Sequence, residues 1–208
     1  MGWSRLVAGG LILLAGLGGA ALGVRLFARP DFVPTGGPSD PGAGFRAQQS
    51  LGEILLRQGG ASRRVDPVVL ETTELNAFLS RHLESRRLGL RPVVVRGGDG
   101  QLEIGGRTSV RELLSGSAGE SLIDLLPGAP LDAEVWLSVR GRLFVHDGQA
   151  ELAVEQARVG RQPVPPGWLW GLLGVDPREI LRWRVPRVVE RIEVQRGRVV
   201  VHTRPGGG

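Results

Sequence analysis

The chain contains no cysteine, no tyrosine and a single methionine at position 1. Without cysteine there are no disulfides and no thiolate metal sites, and the absence leaves the compartment open. Lysine is missing too, so all 26 basic residues are arginine. With neither Lys nor Tyr to titrate near pH ~10, the nominal isoelectric point overstates how basic the chain is. Past residue 29 there are 23 arginines against 21 acids, a net charge of +2, which is a weak electrostatic case for nucleic acid. That small excess is uneven. Residues 30–157 carry 13 Arg and 17 acids, whereas residues 158–208 carry 10 Arg and 4 acids. The basic part reads as a solvated face that pairs with acids of the first part, or as a contact for anionic lipid head groups.

Catalytic signatures are also lacking. The text nearest to a nucleophile elbow, Ser115-Gly116-Ser117-Ala118-Gly119, lacks the first glycine and follows no strong strand. His82, His146 and His202 stand alone, without metal-ligand spacing. Glu151 and Glu155 share a strand face but read as solvated carboxylates, and there is no P-loop or dinucleotide fingerprint. The expectation is a protein that is not an enzyme and uses no metal or cofactor.

Long uncharged runs are scarce, with one exception. Leu6–Val24 spans 19 residues without a charge, bracketed by Arg5 and Arg25. At 1.5 Å per residue a helix of that length reaches roughly 28 Å, enough for a bilayer core. A cleaved signal peptide competes with a retained anchor, because Ala20 and Ala21 are small. No convincing A-x-A site follows, and the run is longer than a usual signal core, so a retained anchor over residues 1–29 is expected. The short N-terminal tail then stays cytoplasmic and the rest lies outside the membrane, making a single-pass protein of the cell membrane. Gly19 and Gly23 belong to a series of small residues that would let two such helices approach closely, a route to a homodimer.

Residues 30–44 hold four Pro and four Gly and read as a linker. The folded domain is expected over residues 45–205, followed by a disordered tail at 206–208. Phe45–Gln58 has the pattern of a short amphipathic helix. Val68–Leu70 reads as a strand leading to Thr72 or Thr73 as helix cap, after which Leu75, Phe78, Leu79 and Leu83 recur at helical spacing. Leu88–Arg96 and Gln101–Arg107 suggest a hairpin, and Val110–Leu126 two short helices or a partly ordered connection.

The strongest pattern is period two. Leu131, Ala133, Val135, Leu137, Val139, Leu143 and Val145 alternate through one long strand, interrupted on that face by Gly141, a natural bend or bulge. The opposite face, with Ser138, should be mostly wet. Asp147-Gly148 turns the chain and Gln149–Val159 returns. Pro165-Pro166 suits a helix start, and Trp168–Leu173 has no polar face, so it needs apolar cover all round or a membrane boundary. Asp176–Trp183 reads as a second short helix, and Val188–Val194 with Val199–Thr203 as a closing hairpin.

Leu70-Glu71-Thr72-Thr73-Glu74-Leu75-Asn76-Ala77-Phe78-Leu79 resembles an L-T-x-x-x-L-N-x-L-L helix start. With Val159-Gly160-Arg161-Gln162-Pro163-Val164-Pro165 and the ending Val185-Pro186…Val199-Val200-Val201, the chain resembles small membrane-anchored bacterial proteins of the YpmS type. More loosely it is similar to LmeA-like phospholipid-binding proteins and to tubular lipid-binding folds. The resemblance covers residues 65–204. It implies an extracytoplasmic α+β domain in which a curved antiparallel sheet wraps short helices around an apolar interior, with no catalytic residues. Two function classes follow: an anchored envelope protein that binds a lipid or other long apolar ligand, or a non-catalytic envelope scaffold with a self-filled core. For the first, the candidate ligand contacts are Leu75, Phe78 and Leu79 on the helix, Val135, Leu137, Val139 and Leu143 on the long strand, and Val164, Trp168, Trp170 and Leu172 beyond it.

Overall fold

The Asp147-Gly148 turn joins the two strands on which the rest is built. In the computed structural model the described residues are 24–31, 41–82, 90–114, 130–173, 176 and 181–204. They form, in order, α1 (Pro41–Gln58), β1 (Val68–Glu71), α2 (Thr72–His82), β2 (Val93–Gly98), β3 (Gln101–Ser109), α3 (Val110–Leu113), β4 (Glu134–His146), β5 (Gln149–Val159), β6 (Gln162–Val164), α4 (Pro166–Leu173), β7 (Arg182–Arg184), β8 (Val189–Gln195) and β9 (Arg198–Thr203). The class is α+β, and every strand pairing among the described residues is antiparallel. One sheet runs β2-β3-β4-β5-β6 with β7 also on β5, and a smaller one runs β1-β9-β8. No helix among the described residues is long and apolar enough to cross a membrane. The expected anchor lies outside the described residues up to position 23, as do most of the expected linker, residues 83–89 and 115–129, and the expected tail.

The hairpins form where turn chemistry and alternation agree. Asp147 and Gly148 have φ of 49° and 71°, and Asp99 and Gly100 have 53° and 75°, the left-handed pair of a type I′ two-residue turn. Between β4 and β5 the register shifts at Arg140/Gly141, with Glu155 as the extra residue. A Cβ at Gly141 would run into the backbone of Ala153, so the glycine is what lets the bulge close. The long strand begins at Glu134, not Leu131, because Ala133 and Leu131 turn their carbonyls to Val110 and Arg111 of α3 instead of to a strand. Ser109 and Glu112 cap that short helix reciprocally.

Helix α1 starts four residues before the expected Phe45. Pro41 opens it, and Ala43, Ala47, Leu51 and Ile54 recur on one covered face. It ends in a Schellman arrangement, with Ala61 N–H on Leu56 O, Gly60 N–H on Arg57 O and Gly60 at φ 71°. Arg57, almost fully buried, donates to Glu53 (3.1 Å), to the Asp66 carbonyl (2.6 Å) and to Thr203 Oγ1 (2.8 Å), tying α1 to the end of β9. Helix α2 follows β1 directly. The expected threonine cap is not what holds its start: Thr72 Oγ1 is buried without a partner among the described residues, and the Glu74 carboxylate instead accepts from Glu71 N–H. From the flank of α2, Asn76 bonds both backbone groups of Val95, accepting from its N–H (2.6 Å) and donating to its carbonyl (2.9 Å).

Two further expectations are corrected. Ser138 is 3% exposed, not wet, because Glu103 and Arg158 from the flanking strands close over it. Trp183 belongs to a strand, not a helix: β6 covers only Ala157–Val159 of β5, and β7 completes the vacant Gln149–Glu151 edge. Residues 177–180 of the expected helix lie outside the described residues.

Two apolar clusters lie between the layers. One joins Ala47 and Ile54 of α1 to Leu152 of β5, Val194 of β8 and Val199 and Val201 of β9. The other gathers Val135, Leu137, Ala157 and Val159 of the large sheet around Leu169 of α4. Burying a side chain such as Leu152 or Leu169 stabilises by about 1.5–3 kcal/mol.

Candidate ligand cavity

Between the clusters lies a cavity of about 750 Å³. The large sheet supplies one wall through Val93, Val95, Ile104, Leu137, Val139 and Leu143, and the small sheet faces it through Leu70, Val189, Ile192, Val199 and Val201. Leu51, Ile54 and Leu55 of α1 and Leu75 and Leu79 of α2 close the side. From Leu137 to Leu143 the wall runs roughly 20 Å at the usual strand rise. Leu169 and Trp170 sit at the end where β6 and α4 leave β5, and Leu181, Trp183, Val185 and Pro186 at the end where β7 joins it. Leu55, 62% exposed, and Trp183 carry the lining out to the surface.

The electrostatics are those of an apolar slot. Ser138 is the one polar residue among the described residues of the lining, and its hydroxyl is engaged by Glu103 at 3.4 Å. Charge is kept on the outside of the large sheet, where Arg107 pairs with Glu134 (2.6 Å), Arg142 with Glu155 (3.1 Å) and Arg182 with Glu151 (2.8 Å). The carboxylates held below the usual range also lie outside the lining. Hydrogen bonds lower Glu53 (from Ser62, then Arg57), Glu112 (from Thr108, then the Ser109 backbone) and Glu193 (from Gln195, then His202). Among the described residues no group of three His, Asp or Glu could hold a metal ion. Among the described residues such a lining can exclude water and take apolar surface, with the Ser138 hydroxyl held by Glu103.

Of the residues expected to meet a ligand, Leu75, Leu79, Leu137, Val139, Leu143 and Trp170 line the cavity together. Phe78 packs against the first cluster instead, and Val135 and Val164 belong to the second. None of these three is in the lining. Trp168 is corrected too: it is 68% exposed on the outer side of α4, away from the lining. The Leu172 side chain lies outside what is described.

Sequence reasoning misses the α1 contacts Leu51, Ile54 and Leu55, the small-sheet wall and Trp183. The α1 leucines are visible as an apolar stripe, but nothing local distinguishes a stripe that lines a space from one that fills it. Comparison with protein-family models, with curated proteins and with solved structures gives no match.

Proposed function

We propose that this is a membrane-anchored cell-envelope protein, without enzymatic activity, that binds a lipid or another long apolar ligand. Residues 6–24 form the transmembrane anchor, the domain lies outside the cytoplasm, and a curved antiparallel sheet wraps the short helices around the ligand. The observation that carries the reading is the cavity itself, about 750 Å³ of space with no charged residue among the described lining residues. Interiors normally pack to crystal-like density, so an unfilled space of this size supports binding over a self-filled core. The resemblance to YpmS-type and LmeA-like proteins points the same way. Neither nucleic acid nor a cofactor has a place in this reading.

The test is to block the slot from within. Val139 faces the cavity from the middle of the wall, so Val139→Trp should fill it at the level where an acyl chain would pass. Full-length protein purified in mild detergent is expected to retain lipid, read by mass spectrometry after organic extraction. The variant should retain about tenfold less, a loss near 1.4 kcal/mol of binding, while still melting cooperatively. Equal retention by both proteins, or none by the wild type, would sink the proposal.

A further inference from the structure

Residues 24–31 are the first described part of the chain, and they do not hang free of the domain. Val24–Phe27 make a helical turn, and the Arg25 and Leu26 carbonyls press onto Gly160 so closely that a Cβ there would collide with both. Gly160 also needs its φ of 59°, which a side chain would disfavour. Arg161 then fastens the segment three ways. Its N–H donates to Arg25 O (2.8 Å), its Nε to Arg29 O (3.0 Å), and its guanidinium pairs with Asp31 (2.5 Å). Leu26 packs into the same cluster as Val164, Leu169 and Trp170.

The uncharged run ends at Val24, one residue before this clamp begins. If the run is the anchor, no slack separates the bilayer from the domain. We infer that the clamp holds the α4 end of the domain in the head-group layer of the membrane that carries the anchor, with the β7 end and Trp183 turned away. The inference rests on the anchor reading given above. The surface at that end fits a lipid interface: Val24 is 71% exposed, Phe27 46% and Trp168 68%, on segments joined by the clamp. Water disfavours such side chains, whereas the interface accommodates indole and aliphatic groups beside arginine. The opposite end of β5, at Ala150, lies roughly 30 Å away at the usual strand rise. A lipid moving between bilayer and cavity would therefore pass α4.

The absence of cysteine makes the experiment clean. Gly167→Cys beside Trp168, where an added Cβ meets nothing, and Asp147→Cys at the far turn each give one labelling site. Full-length protein carrying an environment-sensitive fluorophore at either site is reconstituted into phosphatidylcholine–phosphatidylglycerol vesicles containing spin-labelled lipid quencher. Quenching at 167 should exceed that at 147 by at least about threefold, as expected for an interfacial site against a distant one. Adding Arg161→Glu, which sets a carboxylate against Asp31, should erase the contrast while the protein stays resistant to alkaline carbonate extraction. Equal quenching at the two sites, or stronger quenching at 147, overturns the orientation. Release by carbonate overturns it together with the anchor. Lipid retention is read separately, so a lost contrast with lipid retained refutes the orientation alone, and a clear contrast with no lipid refutes the cavity reading alone.

Discussion

Ser138 shows how little a residue's identity says about its surroundings. Its strand partners are Gly105, which has no side chain to hold neighbours off, and Arg158, whose guanidinium reaches Glu103 at 3.7 Å. The hydroxyl therefore sits beneath a salt bridge, 3.4 Å from the same carboxylate. Ser138→Asp would press a second carboxylate against Glu103 in a site with little water. It should cost about 2–4 kcal/mol in denaturant unfolding, against about 1 kcal/mol for Ser138→Ala. A loss for the aspartate no larger than for the alanine would contradict this account of the site.

At the scale of elements, β2 ends the large sheet and would offer its backbone to another strand. Asn76 takes that place: one amide side chain meets both the N–H and the carbonyl of Val95. Edge strands need such protection, because unpaired backbone groups recruit other chains. Asn76→Ala is expected to cost about 2–3 kcal/mol for two lost bonds to a buried residue and to raise self-association in light scattering. Asn76→Asp, which keeps the acceptor and loses the donor, should fall between. A fully stable, monodisperse alanine variant would show that the edge needs no guard.

The same elements mark where sequence is legible. Asp-Gly turns announce β2–β3 and β4–β5, and Gly141 announces the bulge, because those signals are local. Strand β7 has no such signal, since Arg182–Arg184 lacks apolar alternation and pairs only because β6 leaves part of β5 vacant. The first turn of α1 reads as linker, its Pro-Gly-Ala-Gly composition masking a helix held by its apolar face. In the site, Leu137 and Val139 are legible through period two. Leu51 and Val201 become wall residues only through the long-range meeting of α1 and the small sheet. Asn76 stands within the quoted motif, yet its bonding depends on where β2 comes to rest.

At the scale of the whole molecule, two antiparallel sheets and two helices enclose a space that they leave unfilled. The large sheet's wall is apolar but for Ser138 along the run from Leu137 to Leu143, so an occupant would have little to orient it except length and shape. Any occupant that binds the folded chain and not the unfolded one adds its binding energy to the stability of the fold, about 2.7 kcal/mol at a concentration a hundredfold above its dissociation constant. Heating should therefore work as an assay. Delipidated full-length protein is expected to melt earlier than protein resupplied with phosphatidylglycerol, with the midpoint climbing as the logarithm of lipid added. Val139→Trp should flatten that climb. The void between the sheets would then act as a thermodynamic gauge, turning the supply of lipid around the protein into the lifetime of its fold.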